Sequence, residues 1–166
     1  MGVLTDYFRA ADDAAVLAAL GDAEGGPLVG GGRAVFDGTE AKGVDPDVVL
    51  GQLIAVVRRV EWAVDLVGGT PVWPTTPPPG REGPADEDDP WVTGPWVMRL
   101  DRAVRDTLAE LPAAEAAEAG ARWAAATAEE LPGLDGEDLR PLVEDLSGLA
   151  RRAREAGEDL YCWLCP

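Results

Sequence analysis

Residues 45–67 read DPDVVLGQLIAVVRRVEWAVDLV, and the fold turns on how this stretch is read. Asp45 is a good N-cap, because its carboxylate can accept from the first free backbone N–H groups. Pro46 suits the first helical position, where no N–H is needed. On a helical projection Asp47, Gly51, Arg58, Glu61 and Asp65 fall on one narrow stripe. Val49, Leu50, Leu53, Val56, Val57, Val60, Val64 and Val67 cover the opposite face, with Val48, Trp62 and Leu66 on a flank. A helix with so narrow a polar stripe is expected to be covered on several sides. Gly68-Gly69 is the expected stop, since glycine takes the left-handed cap, and Pro71 prevents resumption.

The rival reading is a buried strand pair, which the β-branched count suits. A run of about six turns without a breaker favours helix. Arg58, Arg59, Glu61 and Asp65 make it too polar for a membrane span. Gln52 and Arg59 sit two turns apart between apolar positions. They read as a ligand-facing pair or as boundary residues, with Arg59 paired to an acid.

The rest of the chain sets the chemistry around that helix. It has 166 residues, the usual length of one domain and enough for a real core. Its hydrophobic content of 46% argues against disorder. With 31 acids against 14 bases, the net charge is −17. Nucleic-acid or anionic-membrane binding needs a positive field, so neither is expected. A basic protein partner is permitted, as is a homo-oligomer. Lysine occurs once, at Lys42, and the excess of Ala, Gly and Pro points to a high-GC bacterial coding bias. Histidine is absent, which removes histidine-based nucleophilic catalysis, proton shuttles and metal sites within one chain. No signal peptide or membrane-spanning run is visible, so a cytoplasmic location is expected.

Residues 2–9 alternate as a strand, and both faces carry apolar side chains. Asp12 caps a short helix over Asp13–Leu20, with Gly21 as its stop. Residues 21–44 are glycine-rich, but the strand–loop–helix context of a phosphate-cradling loop is missing. This stretch reads as an irregular surface loop with a short strand at Ala34–Phe36 and a turn at Asp37-Gly38. Lys42, beside Asp37 and Glu40, has a stabilised charge, the opposite of an activated nucleophile.

Residues 70–95 form a second irregular excursion, rich in proline and acid. Trp73 and Trp91 lie within it, and Trp96 follows it directly. They read either as an aromatic-lined pocket or partner groove, or as anchors that pin the excursion to the domain. Trp96–Leu100 is a strand, and Asp101 caps a helix over Arg102–Leu111. An alanine-rich helix follows at about 113–130, with Trp123 as its large anchor; its shortage of large apolar residues suggests a peripheral place. The last helix runs from Asp135 or Gly136 to about Ala156, with Pro141 in or near its first turn. Arg151, Arg152 and Arg154 near its end complement the helix dipole. Gly157 ends it, and Leu160–Leu164 closes the chain as a strand.

This order predicts an α+β domain over 1–166. A small sheet of three or four strands, including both termini, is packed by a long buried central helix and a C-terminal helix. The opening Met1-Gly2 with its strand, the apolar central helix and the closing helix-Gly157-LYCWL strand resemble the layout of the bacterial domain-of-unknown-function family typified by YfbM. The resemblance is one of order and spacing over most of the chain. Trp62 matches the tryptophan of that family's central helix, whereas its histidine has no counterpart. It implies a compact α/β fold and carries over no site.

Cys162-Trp163-Leu164-Cys165 is a C-x-x-C. Redox motifs of this spacing work at a helix N-terminus, whereas this one falls on a strand. Positions i and i+3 of a strand face opposite ways, about 10 Å apart, too far for a disulfide. Two cysteines without histidine supply half a zinc site. Buried small hydrophobes, a thiol or redox role, and a metal role are the readings open to the pair. With 31 acids in the chain, no carboxylate pair is singled out. The expected function is therefore a non-catalytic interaction module of immunity, inhibitor or adaptor type, using Trp73, Trp91, Trp96 and Arg59, with no cofactor. The alternative is a thiol-dependent redox or metal-binding protein acting through Cys162 and Cys165.

Overall fold

The computed structural model describes residues 3–30, 34–84 and 86–166. Met1 and Gly2, residues 31–33 of the glycine-rich stretch and Ala85 of the second excursion lie outside the described residues. The strands are β1 (Leu4–Ala10), β2 (Gly38–Glu40), β3 (Gly69–Trp73), β4 (Trp96–Leu100) and β5 (Asp159–Cys165). The helices are α1 (Asp13–Asp22), α2 (Val49–Arg58), the single-turn α3 (Pro90–Thr93), α4 (Arg102–Glu110), α5 (Ala116–Ala126) and α6 (Gly136–Ala156). The class is α+β. The five strands form one antiparallel sheet in the order β2-β1-β5-β4-β3.

The N- and C-terminal strands both belong to the sheet, as expected, and they are neighbours in it. β1 and β5 pair from Leu4↔Cys165 to Ala10↔Asp159. Alternation sends their apolar residues to two separate cores. Tyr7, Leu160, Cys162 and Leu164 join α2, α4, α5 and α6 on one face. Phe8, Ala10, Tyr161 and Trp163 join α1 and residues 28–29 on the other. There Phe8 stacks on both Phe36 and Tyr161, with ring centroids 5.1 and 5.4 Å apart. Among the described residues no helix is long and apolar enough to cross a membrane.

The central helix is the main correction. It is ten residues long and ends at Arg58, not at Gly68. Arg59 takes the left-handed conformation (φ 59°, ψ 44°) usually left to glycine. Its N–H donates to the Val56 carbonyl, and the Val60 N–H reaches back to Ala55. These two bonds satisfy carbonyls that the helix end would orphan, which offsets the cost of a left-handed non-glycine residue. Tertiary structure needs the break. A helix continued to Val67 would carry that residue about 13 Å farther along the axis. Instead Val67 folds back into the helix-side core, and the Asp101 N–H bonds to the Gly68 carbonyl, leading into β3. The apolar residues that suggested a longer helix, Val60, Trp62 and Val64, are exposed.

The sheet has five strands where three or four were expected. The additional strands are β2, within the stretch 21–44 read as irregular, and β3, which begins one residue before the stretch 70–95 read as irregular. Neither announces itself locally. β2 is three residues held by pairing with β1, and its Gly38 packs so tightly on β1 that a Cβ would collide with the Tyr7 carbonyl. Ala34–Phe36, read as a strand, is not one. β3 contains Pro71, which an edge strand tolerates because its outward N–H has no ladder partner.

The alanine-rich helix is shorter than expected, preceded by a 3₁₀ turn at Ala113–Glu115, and it is not peripheral. Its small residues allow close approach to α6: a Cβ on Gly120 would lie 2.9 Å from the Gly136 carbonyl oxygen. Its Trp123 is fully buried. α6 begins at Gly136 with a capping box between Asp135 and Asp138, and Pro141 is accommodated inside it.

Candidate functional site

The three tryptophans of the second excursion line one opening at the sheet edge, with Trp73 packed against the α1-side core and Trp96 against the helix-side core. β3 ends at Trp73, β4 begins at Trp96, and the register pairs Trp73 with Val97 and Trp96 with Leu164. Pleating places Trp96 and Met98 on one face of β4. Trp91 is delivered by α3, whose Asp89 carboxylate accepts from the Trp91 N–H at 2.8 Å. The Trp91 indole donates to the Thr76 carbonyl and hydroxyl at 3.2 and 3.1 Å. Trp91 thus pins the excursion to itself and also lines a cleft. Pro71, Trp73, Trp91, Trp96, Met98 and Leu164 form the apolar walls of that cleft, which holds about 340 Å³.

The remaining wall is acidic. Asp45, Pro46 and Asp47, on the turn ahead of α2, close the cleft. Tyr7 fixes this turn to β1 by donating its hydroxyl to the Val44 carbonyl at 2.8 Å. The Asp45 carboxylate caps the turn, accepting from the Val48 N–H at 2.7 Å and more weakly from Val49 at 3.4 Å. Asp45 therefore caps as expected, but one turn before the helix proper. Asp47 stands exposed at the rim. The partial burial of its carboxyl, with Asp45 beside it, raises its pKa from the ordinary value of an aspartate. Among the described residues the Asp47 carboxylate accepts no hydrogen bond, and neither Asp forms an ion pair. Among the described residues no arginine or lysine lines the cleft.

The indoles divide by partner. Trp62 donates to the Asp47 carbonyl at 3.4 Å, Trp123 to Val49 at 2.8 Å, and Trp163 to Gly25 at 3.1 Å. With Trp91 these use their N–H groups on the protein. Trp73 and Trp96 do not, among the described residues. The cleft therefore offers apolar walls, two indole donors and an uncompensated negative end.

Arg59 lies elsewhere. It is exposed at the α2 terminus, 4.0 Å from the Glu115 carboxylate, and lines a shallow depression with Val56, Leu111 and Glu118. The boundary reading describes it; the structure does not bring it to the tryptophans. Cys162 and Cys165 are free thiols on opposite faces of β5, Cys162 in the helix-side core and Cys165 against the other. Burial raises the Cys162 pKa well above that of an ordinary thiol, the reverse of what a redox or metal-binding thiolate needs. Among the described residues no group of three or more His, Cys, Asp or Glu is placed to hold a metal.

A second acidic place has no local signature. Asp6 and Glu40 are cross-strand partners and share a cleft of about 280 Å³ with Trp163 and Lys42. Burial, then the Glu40 charge, raises the Asp6 pKa to about 6. Neither this pair nor the contribution of Asp47, Pro71 and Met98 to the tryptophan cleft can be read from spacing, because each depends on pairing across the sheet. Comparison with family models, curated proteins and solved structures finds no match to this chain.

Proposed function

We propose that this protein is a non-catalytic interaction module, of immunity, inhibitor or adaptor type, that captures a basic protein partner at the Trp73–Trp91–Trp96 cleft. The observation that carries the reading is the convergence of three tryptophans with Asp45 and Asp47 around one opening. Half-buried tryptophans supply large apolar area and rigid contact surface, the composition of binding hot spots. The −17 charge steers a cationic partner toward the molecule and repels acidic ones. The YfbM-like layout names no activity and leaves this reading unchanged. The thiol-dependent alternative gains nothing from the geometry, since its two sulfurs face opposite ways.

The test is native mass spectrometry of the protein recovered from its own cells at neutral pH, beside Trp73→Ala and Trp91→Ala variants. The expected result is a second, basic polypeptide bound to the parent chain, weakened by rising ionic strength and lost in the variants. A partner retained by both variants, or held equally at low and high salt, would overturn the proposal.

A further inference from the structure

Resting on that reading, we infer that the group entering the cleft is a single arginine side chain from an extended stretch of the partner. Its guanidinium lies flat on an indole and meets Asp47. Four features of the cleft lead there. Its size, about 340 Å³, is at the low end for small-ligand pockets. It suits one long side chain and excludes a packed helix. Its charge is uncompensated among the described residues: Asp45 and Asp47 line it and no basic side chain does. A cation is therefore the complementary group, and tryptophan is the aromatic that holds a cation best.

The third feature separates guanidinium from ammonium. The Asp45 carboxylate is committed to the Val48 N–H at 2.7 Å, which leaves Asp47 as the free acceptor. A guanidinium can occupy both oxygens of one carboxylate and stack its weakly hydrated plane on an indole. An ammonium is compact, strongly hydrated and left with unsatisfied donors in such a place. The fourth separates a peptide from a free cation. Trp73 and Trp96 have indole N–H groups without protein acceptors among the described residues. The backbone carbonyls flanking an arginine can accept from them, whereas a bare organic cation cannot.

The experiment uses the full chain with ¹⁵N-labelled tryptophan. The probe is acetyl-Ala-Gly-Arg-Gly-Ala-amide, titrated while the indole N–H resonances are followed, each assigned with a Trp→Phe variant. The expected result is saturable movement of the Trp73 and Trp96 signals. The citrulline peptide, neutral and of the same shape, should bind about tenfold more weakly. Asp47→Asn should weaken the arginine peptide by about tenfold without lowering the thermal unfolding midpoint. Equal binding of the citrulline peptide, or no effect of Asp47→Asn, overturns the inference. A lysine peptide that binds as tightly as the arginine one overturns the guanidinium assignment, and ethylguanidinium alone matching the peptide overturns the polypeptide source. Partner capture that depends on Trp73 while the peptide results fail sinks this inference alone. Capture that ignores Trp73 and Trp91 sinks the cleft as the docking site, whatever the peptide does.

Discussion

The Trp123 indole N–H donates to the Val49 carbonyl at 2.8 Å, joining the middle of α5 to the first turn of α2 across 74 residues of sequence. Both residues are buried in the helix-side core. This bond holds α2 against α5 beside the turn that carries Asp45 and Asp47. Trp123→Phe keeps most of the apolar area and loses the donor. It should cost about 1–2 kcal/mol, whereas Trp123→Ala should cost about 3–5 kcal/mol through the cavity it leaves. Urea unfolding of the two variants checks the order; a Trp123→Phe protein as stable as the parent would show that the indole donor contributes nothing.

Gly120 and Gly136 mark the closest approach of α5 and α6. A Cβ on Gly136 would sit 2.6 Å from the Ala121 Cα, and both sides of the contact are backbone. Gly136 is the first residue of α6, so alanine there gains less than the roughly 1 kcal/mol of helix propensity it gains in a helix interior. Overpacking should nevertheless win, with Gly136→Ala losing about 1–3 kcal/mol net. A stabilised Gly136→Ala protein in the same urea assay would show that the helices separate at little cost.

Two carboxylates should move stability with pH in opposite directions. Asp6 has its folded pKa raised to about 6 from 3.8, by burial first and Glu40 second. The folded state holds the proton more tightly than the unfolded chain, so stability from this group is present below about pH 4 and is lost as pH rises toward 6. Asp6→Asn should therefore stabilise the protein by about 1–3 kcal/mol at pH 7, with the difference closing below about pH 4. Melting temperatures of both proteins between pH 3 and pH 8 supply the check, and parallel curves would refute it.

Asp37 is the reverse case. It bonds Arg152 at 2.7 and 3.0 Å and Arg9 at 2.7 Å, and these guanidiniums lower its pKa to about 2, Arg152 most strongly. Its contribution is present above the ordinary carboxylate pKa and is lost as pH falls through about 2. Asp37 is a third exposed, so solvent screening limits the effect. Asp37→Asn should cost roughly 1 kcal/mol at pH 7 and progressively less in acid. A loss that stays constant down to pH 2 would show that the charge plays no part.

The cysteines should react one at a time. Cys162 is fully buried, while Cys165 is partly exposed at the end of β5. A thiol reagent at neutral pH should modify Cys165 in the folded protein and reach Cys162 only on unfolding. Mild oxidation should form no intramolecular disulfide, because the two side chains leave opposite faces of the strand. Two fast-reacting thiols, or a monomeric disulfide product, would contradict this placement.

Much of the fold is legible in the sequence because it is local. Trp96–Leu100 occurs at its expected bounds, the strand at Leu160–Leu164 extends by one residue at each end, and α4 and α6 fall within a residue or two of expectation. Periodicity, caps and Gly157 act over one or two turns, so these elements carry their own instructions. The opposite facing of Cys162 and Cys165 follows from strand geometry alone, and the acidity of the whole follows from composition.

Tertiary structure decided the rest. Periodicity continues past Arg59, and only the pairing of β3 with β4 requires the chain to turn there, with Val67 drawn into the core and Val60, Trp62 and Val64 left in solvent. β2 exists because β1 has an open edge, which no property of residues 38–40 reveals. Trp73, Trp91 and Trp96 could be picked out as candidates by type, but their meeting with Asp47 depends on sheet register and on the Tyr7 bond that fixes the turn before α2. Local patterns set which elements form. Where an element stops, and which distant side chains share a cleft, are settled by contacts made only after the chain has folded.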